Sequence, residues 1–243
     1  TPLTAVSPAA AYQPPTALLG DGGTPIPLKN AAMIVMTEGG FRYIAGQQNS
    51  HLTATMADGK LRLEDTGTEE LRDIPRRCQR QTVRDGIAAL CTIPARFVDT
   101  MYLEVWPRLG NDFVDGSTLP SMVRFWVLAD AGFDTVYGGA GDDFVNGAQD
   151  DDKVWGGAGD DWIRTGIGND ELWGDSGDDK LVGTDGHDVL HGGDGDDRVY
   201  GGAHRDQLHA DAGVDVVSCG GGRDGAWYDR LDRVRDCETR TVS

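Results

Sequence analysis

The sequence has few aromatic residues, few basic residues and no long apolar run. Aromatic side chains make up 7% of the 243 residues, and 22 Lys and Arg stand against 40 Asp and Glu, so the formal net charge is −18. A polyanion repels nucleic acid and acidic membrane surfaces, which argues against both as partners. No apolar stretch approaches the ~20 residues that span a bilayer, so membrane insertion is not expected.

Several catalytic motifs are also missing. The sequence contains no His-Glu-x-x-His, no Gly-x-Ser-x-Gly and no phosphate-binding loop. Gly-Asp-Ser-Gly at 174–177 imitates the nucleophile motif of trypsin-like proteases, but it lies inside a repeat, which assigns Ser176 to a loop. We therefore expect a protein without catalytic residues. The alternative is an extracellular hydrolase acting on polysaccharides, with the repeats as an accessory module.

Cysteines are few, and none forms a Cys-x-x-Cys pair, which argues against a zinc ribbon. The chain opens "TPLTAVSPAAAYQPP" without Met, which we interpret as the start of a mature secreted chain or of a trimmed one. An even number of cysteines in an exported chain favours two disulfides. Among the three possible pairings we favour Cys78–Cys91 and Cys219–Cys237, because each closes a short loop; four free buried thiols are the alternative.

Acidic charge is concentrated in one segment of the chain. Residues 129–227 contain 22 Asp, one Glu and six Lys or Arg, a net charge of −17, whereas the remaining 144 residues carry a net charge of −1. Such a segment attracts cations.

The same segment divides into eleven consecutive nonapeptides without an insertion. The fourth position is Gly in nine units, and the eighth is Val, Ile or Leu in ten. The sixth position is Asp in every unit; these residues are Asp134, Asp143, Asp152, Asp161, Asp170, Asp179, Asp188, Asp197, Asp206, Asp215 and Asp224.

The pattern Gly-Gly-x-Gly-x-Asp-x-U-x, in which U is a large apolar residue, resembles the RTX (haemolysin-type) calcium-binding nonapeptide repeat. With a β-rich N-terminal part and a cysteine-closed tail, the chain is similar to small secreted members of that family from Gram-positive bacteria. The resemblance implies an all-β fold, a parallel β-roll (β-solenoid) in which two units form one coil, and a secreted or cell-surface location.

Elementary physics points the same way. Positions seven to nine are expected to be extended, with the eighth side chain inward, while glycines let the loop backbone approach a ligand closely. Stacked loops bring the sixth-position carboxylates together, and like charges at that distance repel. A divalent cation with hard oxygen ligands, Ca²⁺, relieves the repulsion. Six odd and five even loops give at most nine calcium sites.

Two loops depart from the pattern, with Asp150 and His204 in place of the fourth-position glycine, so we expect weak or empty sites there. The fifth-position aspartates of the four Gly-Asp-Asp doublets are assigned to solvent and to long-range attraction of cations rather than to direct ligation. They are Asp142, Asp160, Asp178 and Asp196.

The ninth position of the odd units forms a mainly aromatic row. We expect these residues to stack on the outer face of one sheet, either as scaffold or as a strip that docks a protein or glycan partner. His191 and His209 could alternatively share a transition metal. The row consists of Tyr137, Trp155, Trp173, His191, His209 and Trp227.

Four regions are predicted along the chain. Strands are expected at 31–38, 41–46, 51–56, 60–65, 100–106 and 121–128, and "GNDFVDG" at 110–116 is interpreted as a stray repeat. The regions are an extended N-terminal segment, 1–30; a β-rich capping domain that leads into degenerate first coils, 31–128; the calcium-binding β-roll, 129–227; and a disulfide-closed C-terminal cap, 228–243.

Overall fold

The computed structural model describes residues 31–46, 49–97 and 99–242, and the predicted extended segment 1–30 lies outside the described residues. Nearly all of the regular structure is β, as expected. The only helix among the described residues is a single 3₁₀ turn, Ala95–Phe97. None of these residues forms a helix long and apolar enough to cross a bilayer.

Seven strands precede the 3₁₀ turn. They are β1 (Ala31–Met36), β2 (Gly40–Ile44), β3 (His51–Ala57), β4 (Lys60–Asp65), β5 (Glu70–Asp73), β6 (Cys78–Gln81) and β7 (Ile87–Thr92).

The strands that follow build a parallel β-solenoid of about eight coils. The first coils contain β8 (Met101–Leu109), β9 (Phe113–Asp115), β10 (Val123–Ala131) and β11 (Thr135–Tyr137). The repeats then form β12 (Phe144–Gln149), β13 (Lys153–Ala158), β14 (Trp162–Ile167), β15 (Glu171–Ser176), β16 (Lys180–Asp185), β17 (Val189–Asp194), β18 (Arg198–Ala203), β19 (Gln207–Ala212), β20 (Val216–Gly221) and β21 (Gly225–Tyr228). The tail adds β22 (Arg233–Arg235) and β23 (Thr239–Val242).

Two sheets face each other across the solenoid. From β8 onward the even-numbered strands form one sheet and the odd-numbered strands the other. Neighbouring strands of the repeat region are parallel and in register with a shift of 18 residues, as in the pairing of Trp155 with Trp173. Two nonapeptides therefore make one coil, and the predicted β-roll is confirmed.

The strands β12 to β20 are longer than the sequence suggested. We expected only positions seven to nine to be extended, but the six-residue strands also include positions one to three of the next unit. Gly157 has φ 102°, a left-handed conformation that bends the strand. The ladder nevertheless continues past this bend, because Ala158 N–H donates to Gly139 O at 2.9 Å.

Eighth-position side chains fill the narrow core between the sheets. All eleven, from Val136 to Ala226, are at most 1% exposed. They belong to one apolar cluster that continues into the N-terminal strands, where Phe41, Leu52 and Leu61 are fully buried.

The N-terminal strands extend the same two sheets. β1 pairs with β2, and β3 with β4, in antiparallel hairpins, and β7 joins β4 and β6 in the same way. β2 and β3 pair in parallel with β8 and β9, so each hairpin continues one sheet of the roll. β10 runs across residue 128, where we placed the end of the capping domain. The division into domains stays a prediction.

Both predicted disulfides are formed, and all four cysteines are paired. Cys78 lies directly opposite Cys91 in the β6–β7 ladder. Cys219, buried at the start of the eleventh unit, is linked to Cys237 in the tail. The second bond holds the C-terminal residues close to the last coils.

We expect Gly195→Ala to destabilise the calcium-loaded protein by about 2 to 3 kcal/mol, as measured by urea unfolding. Gly195 has φ 141°, and an added Cβ would collide with the carbonyl oxygen of Gly177 on the previous coil. Gly221→Ala is the matched control, because a Cβ there meets nothing within 4 Å. Its effect should stay within about 0.5 kcal/mol. Equal stabilities of the two variants would contradict this account of the fourth-position glycines.

Candidate metal centre

All eleven sixth-position aspartates lie inside the roll. Each follows a loop and precedes a strand, and the inward turn of the backbone leaves its side chain between 0% and 3% exposed. The 18-residue register stacks them in two columns, one from the odd units and one from the even units. The structure thus brings together the carboxylates that the sequence singled out.

One oxygen of each carboxylate is committed to the backbone of the previous coil. Asp143 N–H donates to Asp161 Oδ1 at 2.7 Å, and Asp161 N–H donates to Asp179 Oδ1 at 2.8 Å. The same bond recurs along both columns, between 2.7 and 3.0 Å. These bonds hold consecutive loops at a fixed spacing.

The second oxygen, Oδ2, lacks a partner in ten of the eleven aspartates, although it is buried. The exception is Asp143, whose Oδ2 accepts the Gly139 N–H at 2.7 Å. A buried carboxylate oxygen without a partner costs free energy comparable to a lost hydrogen bond to a charged group, about 1–3 kcal/mol or more. The columns are therefore incomplete as built from protein atoms alone.

In six of these ten units, the first residue is a glycine, which leaves a space beside the unpartnered Oδ2. At Gly192, an added Cβ would lie 2.5 Å from Asp197 Oδ2 and 2.5 Å from the carbonyl oxygen of Ala210. A carboxylate oxygen and a backbone carbonyl thus converge on a point that the missing side chain leaves open. Hard oxygen donors of these two kinds are what Ca²⁺ takes as ligands. The residues present fit a calcium ion.

Seven units share this arrangement, in which the first residue is glycine and the sixth-position Oδ2 lies beside its empty Cβ position. The glycines are Gly138, Gly147, Gly156, Gly174, Gly183, Gly192 and Gly201. The other four units carry a side chain at that point: Ala129, Thr165, Ala210 and Cys219. Sequence reasoning looked for damage at the fourth position and overlooked the first.

The two irregular fourth positions have positive φ, as do five of the nine fourth-position glycines. Asp150 has φ 72° and His204 has φ 80°. Asp is among the residues that tolerate this region better than most. The expectation of weak sites at these loops stays a prediction.

Burial raises the pKa of the sixth-position carboxyls. Desolvation is the main cause, and neighbouring aspartates add to it, so the pKa of Asp161 rises to about 9 and that of Asp152 to about 8. The pKa of Asp134, Asp143, Asp179, Asp188 and Asp197 rises to about 7. Farther along the roll, the pKa of Asp206 and Asp215 rises to about 6. Asp152 and Asp161, whose pKa lies above neutral pH, need a positive partner to be charged there.

Three acidic residues outside the nonapeptide phase extend the columns. Asp112 N–H donates to Asp134 Oδ1 at 2.8 Å, and Asp112 Oδ2 is buried without a partner. At the other end, Asp232 Oδ1 accepts the Asp215 N–H at 3.0 Å, and Glu238 Oε2 accepts the Asp224 N–H at 2.8 Å. Asp112 lies in the stray repeat "GNDFVDG", which signalled it; nothing in the sequence marked the two tail residues.

Fifth-position side chains form a separate outer ladder. Asp178 N–H donates to Asp160 Oδ1 at 3.0 Å, and Asp196 N–H donates to Asp178 Oδ1 at 2.9 Å. These carboxylates are exposed, as predicted, and they accept backbone hydrogen bonds from the following coil rather than from the previous one.

The ninth-position row stacks as the sequence predicted. Ring centroids of Trp155 and Trp173 lie 4.5 Å apart with an interplanar angle of 1°. The row continues from Tyr137 to Trp227 with separations of 4.3 to 5.9 Å and angles of 12° or less. The side chains are half-buried. The other sheet carries a second aromatic row that sequence analysis did not identify. Its rings contact one another edge to face, and its members are Trp126, Phe144 and Trp162.

A family model for the RTX calcium-binding nonapeptide repeat matches the chain in four overlapping copies, at residues 126–154, 147–181, 155–190 and 182–217. These are RTX repeats. RTX repeats imply a calcium-binding β-roll. No curated protein and no solved structure gives a significant match to the chain.

We expect the metal-free RTX roll to lose stability as the pH rises. Unfolded Asp has a pKa of about 3.9, so the folded chain, with its raised pKa values, binds more protons. The stabilisation is complete below about pH 4 and is lost as the pH rises through the folded pKa values of about 6 to 9. The unfolding temperature measured in chelator should therefore fall between pH 5 and pH 9.

Asp161→Asn imitates the protonated carboxyl and should weaken this pH dependence. Asp160→Asn removes the same charge from the exposed neighbour, which adds only a secondary rise to the pKa of Asp179, so it should change the dependence far less and controls for net charge. A metal-free unfolding temperature that is constant, or that rises, between pH 6 and pH 9 would contradict the assignment.

Proposed function

We propose that this protein is a secreted, non-enzymatic calcium-binding β-roll that folds when it meets calcium-rich surroundings and then serves as a structural, surface or adhesion module. The observation that carries the proposal is the set of ten buried Oδ2 atoms without a partner. In these residues a backbone N–H binds Oδ1, and a divalent cation would bind Oδ2.

The energetics make calcium part of folding. Without metal the roll must either keep neighbouring carboxylates charged in a poorly solvated interior or bind protons to them. Either state costs free energy at neutral pH. The narrow apolar core offsets little of this cost, since each nonapeptide contributes one eighth-position side chain to it. An ion that binds only the folded chain stabilises it by about 2.7 kcal/mol per site at a hundred times its dissociation constant. Several sites together can decide whether the roll folds.

The seven units with a glycine at the first position are proposed to hold the ions. Their Oδ2 atoms and the carbonyls of the next coil face an open space, as described for Gly192. Thr165, Ala210 and Cys219 fill the equivalent space in three other units. The proposal therefore lowers the expected number of ions in the roll from nine to about seven.

The ninth-position row is proposed to be scaffold. A sugar or peptide that binds an aromatic strip packs on ring faces. Here Tyr137, Trp155 and Trp173 cover one another's faces, and only ring edges remain along the row. Such stacking stabilises a sheet by about 0.2–1 kcal/mol per pair.

A calcium titration of the chelator-treated full chain tests the folding claim. We expect circular dichroism to show a cooperative gain of β structure. Near-ultraviolet ellipticity from the parallel indoles of Trp155 and Trp173 should appear in the same calcium range, because the row stacks only when the coils do. A spectrum that excess chelator leaves unchanged after prolonged incubation with mild heating would contradict the proposal.

The effect of Asp161→Asn on stability should change sign between chelator and excess calcium. Its amide oxygen still accepts the Asp143 N–H, but an amide nitrogen replaces the oxygen beside Gly156 and cannot bind a cation. With excess calcium we expect the variant to unfold more easily than wild type by about 2 kcal/mol and to bind fewer ions by native mass spectrometry. In chelator it should be at least as stable as wild type.

Asp160→Asn is again the control and should bind as many ions as wild type. Loss of the same number of ions in both variants would contradict ligation by the sixth position alone. Screening of the purified protein on glycans and esters tests the non-enzymatic part. Turnover that a point mutation outside the calcium loops abolishes would contradict it.

A further inference from the structure

The outer surface of the roll carries a group of side chains that the calcium loops do not use. His191 lies on β17, and His209 occupies the paired position on β19. Their rings stack with centroids 4.3 Å apart. Asp211 lies two residues beyond His209 on the same strand, and its Oδ2 is 3.4 Å from His191 Nδ1.

We propose that His191, His209 and Asp211 form a binding site for a borderline divalent transition metal, of which Zn²⁺ is the representative. Each residue offers one ligand atom, and these atoms all lie within 4.8 Å of one another. The set of two imidazoles and one carboxylate is typical of zinc sites that keep a fourth position for water.

The distances fit such an ion. Two ligands that lie about 2.1 Å from a tetrahedral ion are roughly 3.4 Å apart, which is the separation of His191 Nδ1 and Asp211 Oδ2. The ligand nitrogens of the two stacked imidazoles must move slightly closer together to bind one ion. Rotation about the side-chain torsions allows this, because both residues are half-buried. Asp211 pairs with Gly193 on β17, so no side chain of that partner lies between the carboxylate and His191.

The site is open to solvent. The His191 and Asp211 side chains are 30% and 40% exposed, so an ion can enter without unfolding the roll. The cluster is specific to this coil, because the position equivalent to His191 on the preceding odd strand, β15, is Trp173.

Donor chemistry separates this site from the calcium loops. Imidazole suits zinc, copper and nickel, whereas carboxylate and carbonyl oxygens suit calcium. Excess Ca²⁺ should therefore fill the loops, keep the roll folded and leave the imidazole site free. This gives the experiment its conditions.

Isothermal titration of the full chain with ZnCl₂ in millimolar calcium tests the proposal. We expect one Zn²⁺ per chain. His209→Phe preserves a stacking ring but removes the ligand atom, and Asp211→Asn preserves a residue suited to the left-handed backbone at φ 68°. Each should weaken Zn²⁺ binding by about tenfold or more, with unchanged circular dichroism in calcium.

A second pair of histidines provides the matched control. His187 and His204 also lie close, with ring centroids 6.0 Å apart and Asp185 2.8 Å from His204. The ligand atoms of these three residues do not all lie within 4.8 Å of one another, however. The double variant His187→Gln with His204→Gln should bind Zn²⁺ as wild type does. Replacement of Zn²⁺ by Co²⁺ should give the visible absorption of a four-coordinate ion, absent in His209→Phe.

Three results would overturn the proposal. They are no saturable Zn²⁺ binding in the presence of calcium, equal affinity of wild type and both site variants, or an equal loss in the control double variant. The last outcome would move the site to the loop histidines.

Discussion

The structure depends on a conflict within one functional group. Each sixth-position aspartate joins its loop to the previous coil through Oδ1, so the columns of carboxylates are also the columns of hydrogen bonds that space the coils. The same groups carry negative charge into a region shielded from water. The atoms that specify the solenoid are therefore the atoms that oppose it. Architecture and cation binding cannot be separated in this chain, because Oδ1, which joins the coils, and Oδ2, which lacks a protein partner, belong to the same carboxylate.

Much of this fold follows from the period of nine. An aspartate repeated every nine residues and an apolar residue two places later leave one solution in which both recur inside, namely two units per coil. The inward side chains from Val136 to Ala226, the 18-residue register and the stacked row at Trp155 and Trp173 follow from it. Strand patterns of period two also located β1 to β4, β8 and β10. The short strands β5 to β7 lack a clear alternation and were not predicted.

Features that break the period were beyond sequence reasoning. Asp112 enters its column 22 residues before Asp134 rather than 18, because the connection between them is longer. Asp232 and Glu238 arrive from a tail with no repeat at all. The first-position glycines were visible, but their importance lies in a space between a carboxylate and a carbonyl of another coil. Such a space depends on the packing of adjacent coils, which a one-dimensional pattern does not encode.

β22 and β23 form one edge of each sheet. β22 and β23 pair with β20 and β21 on one side only, so they are the outermost strands of the two sheets. They are three and four residues long, and the exposed Arg233, Arg235 and Arg240 stand on them. Short, charged outer strands are poor templates for further pairing. At this edge of the two sheets, strand pairing between neighbouring molecules is therefore disfavoured.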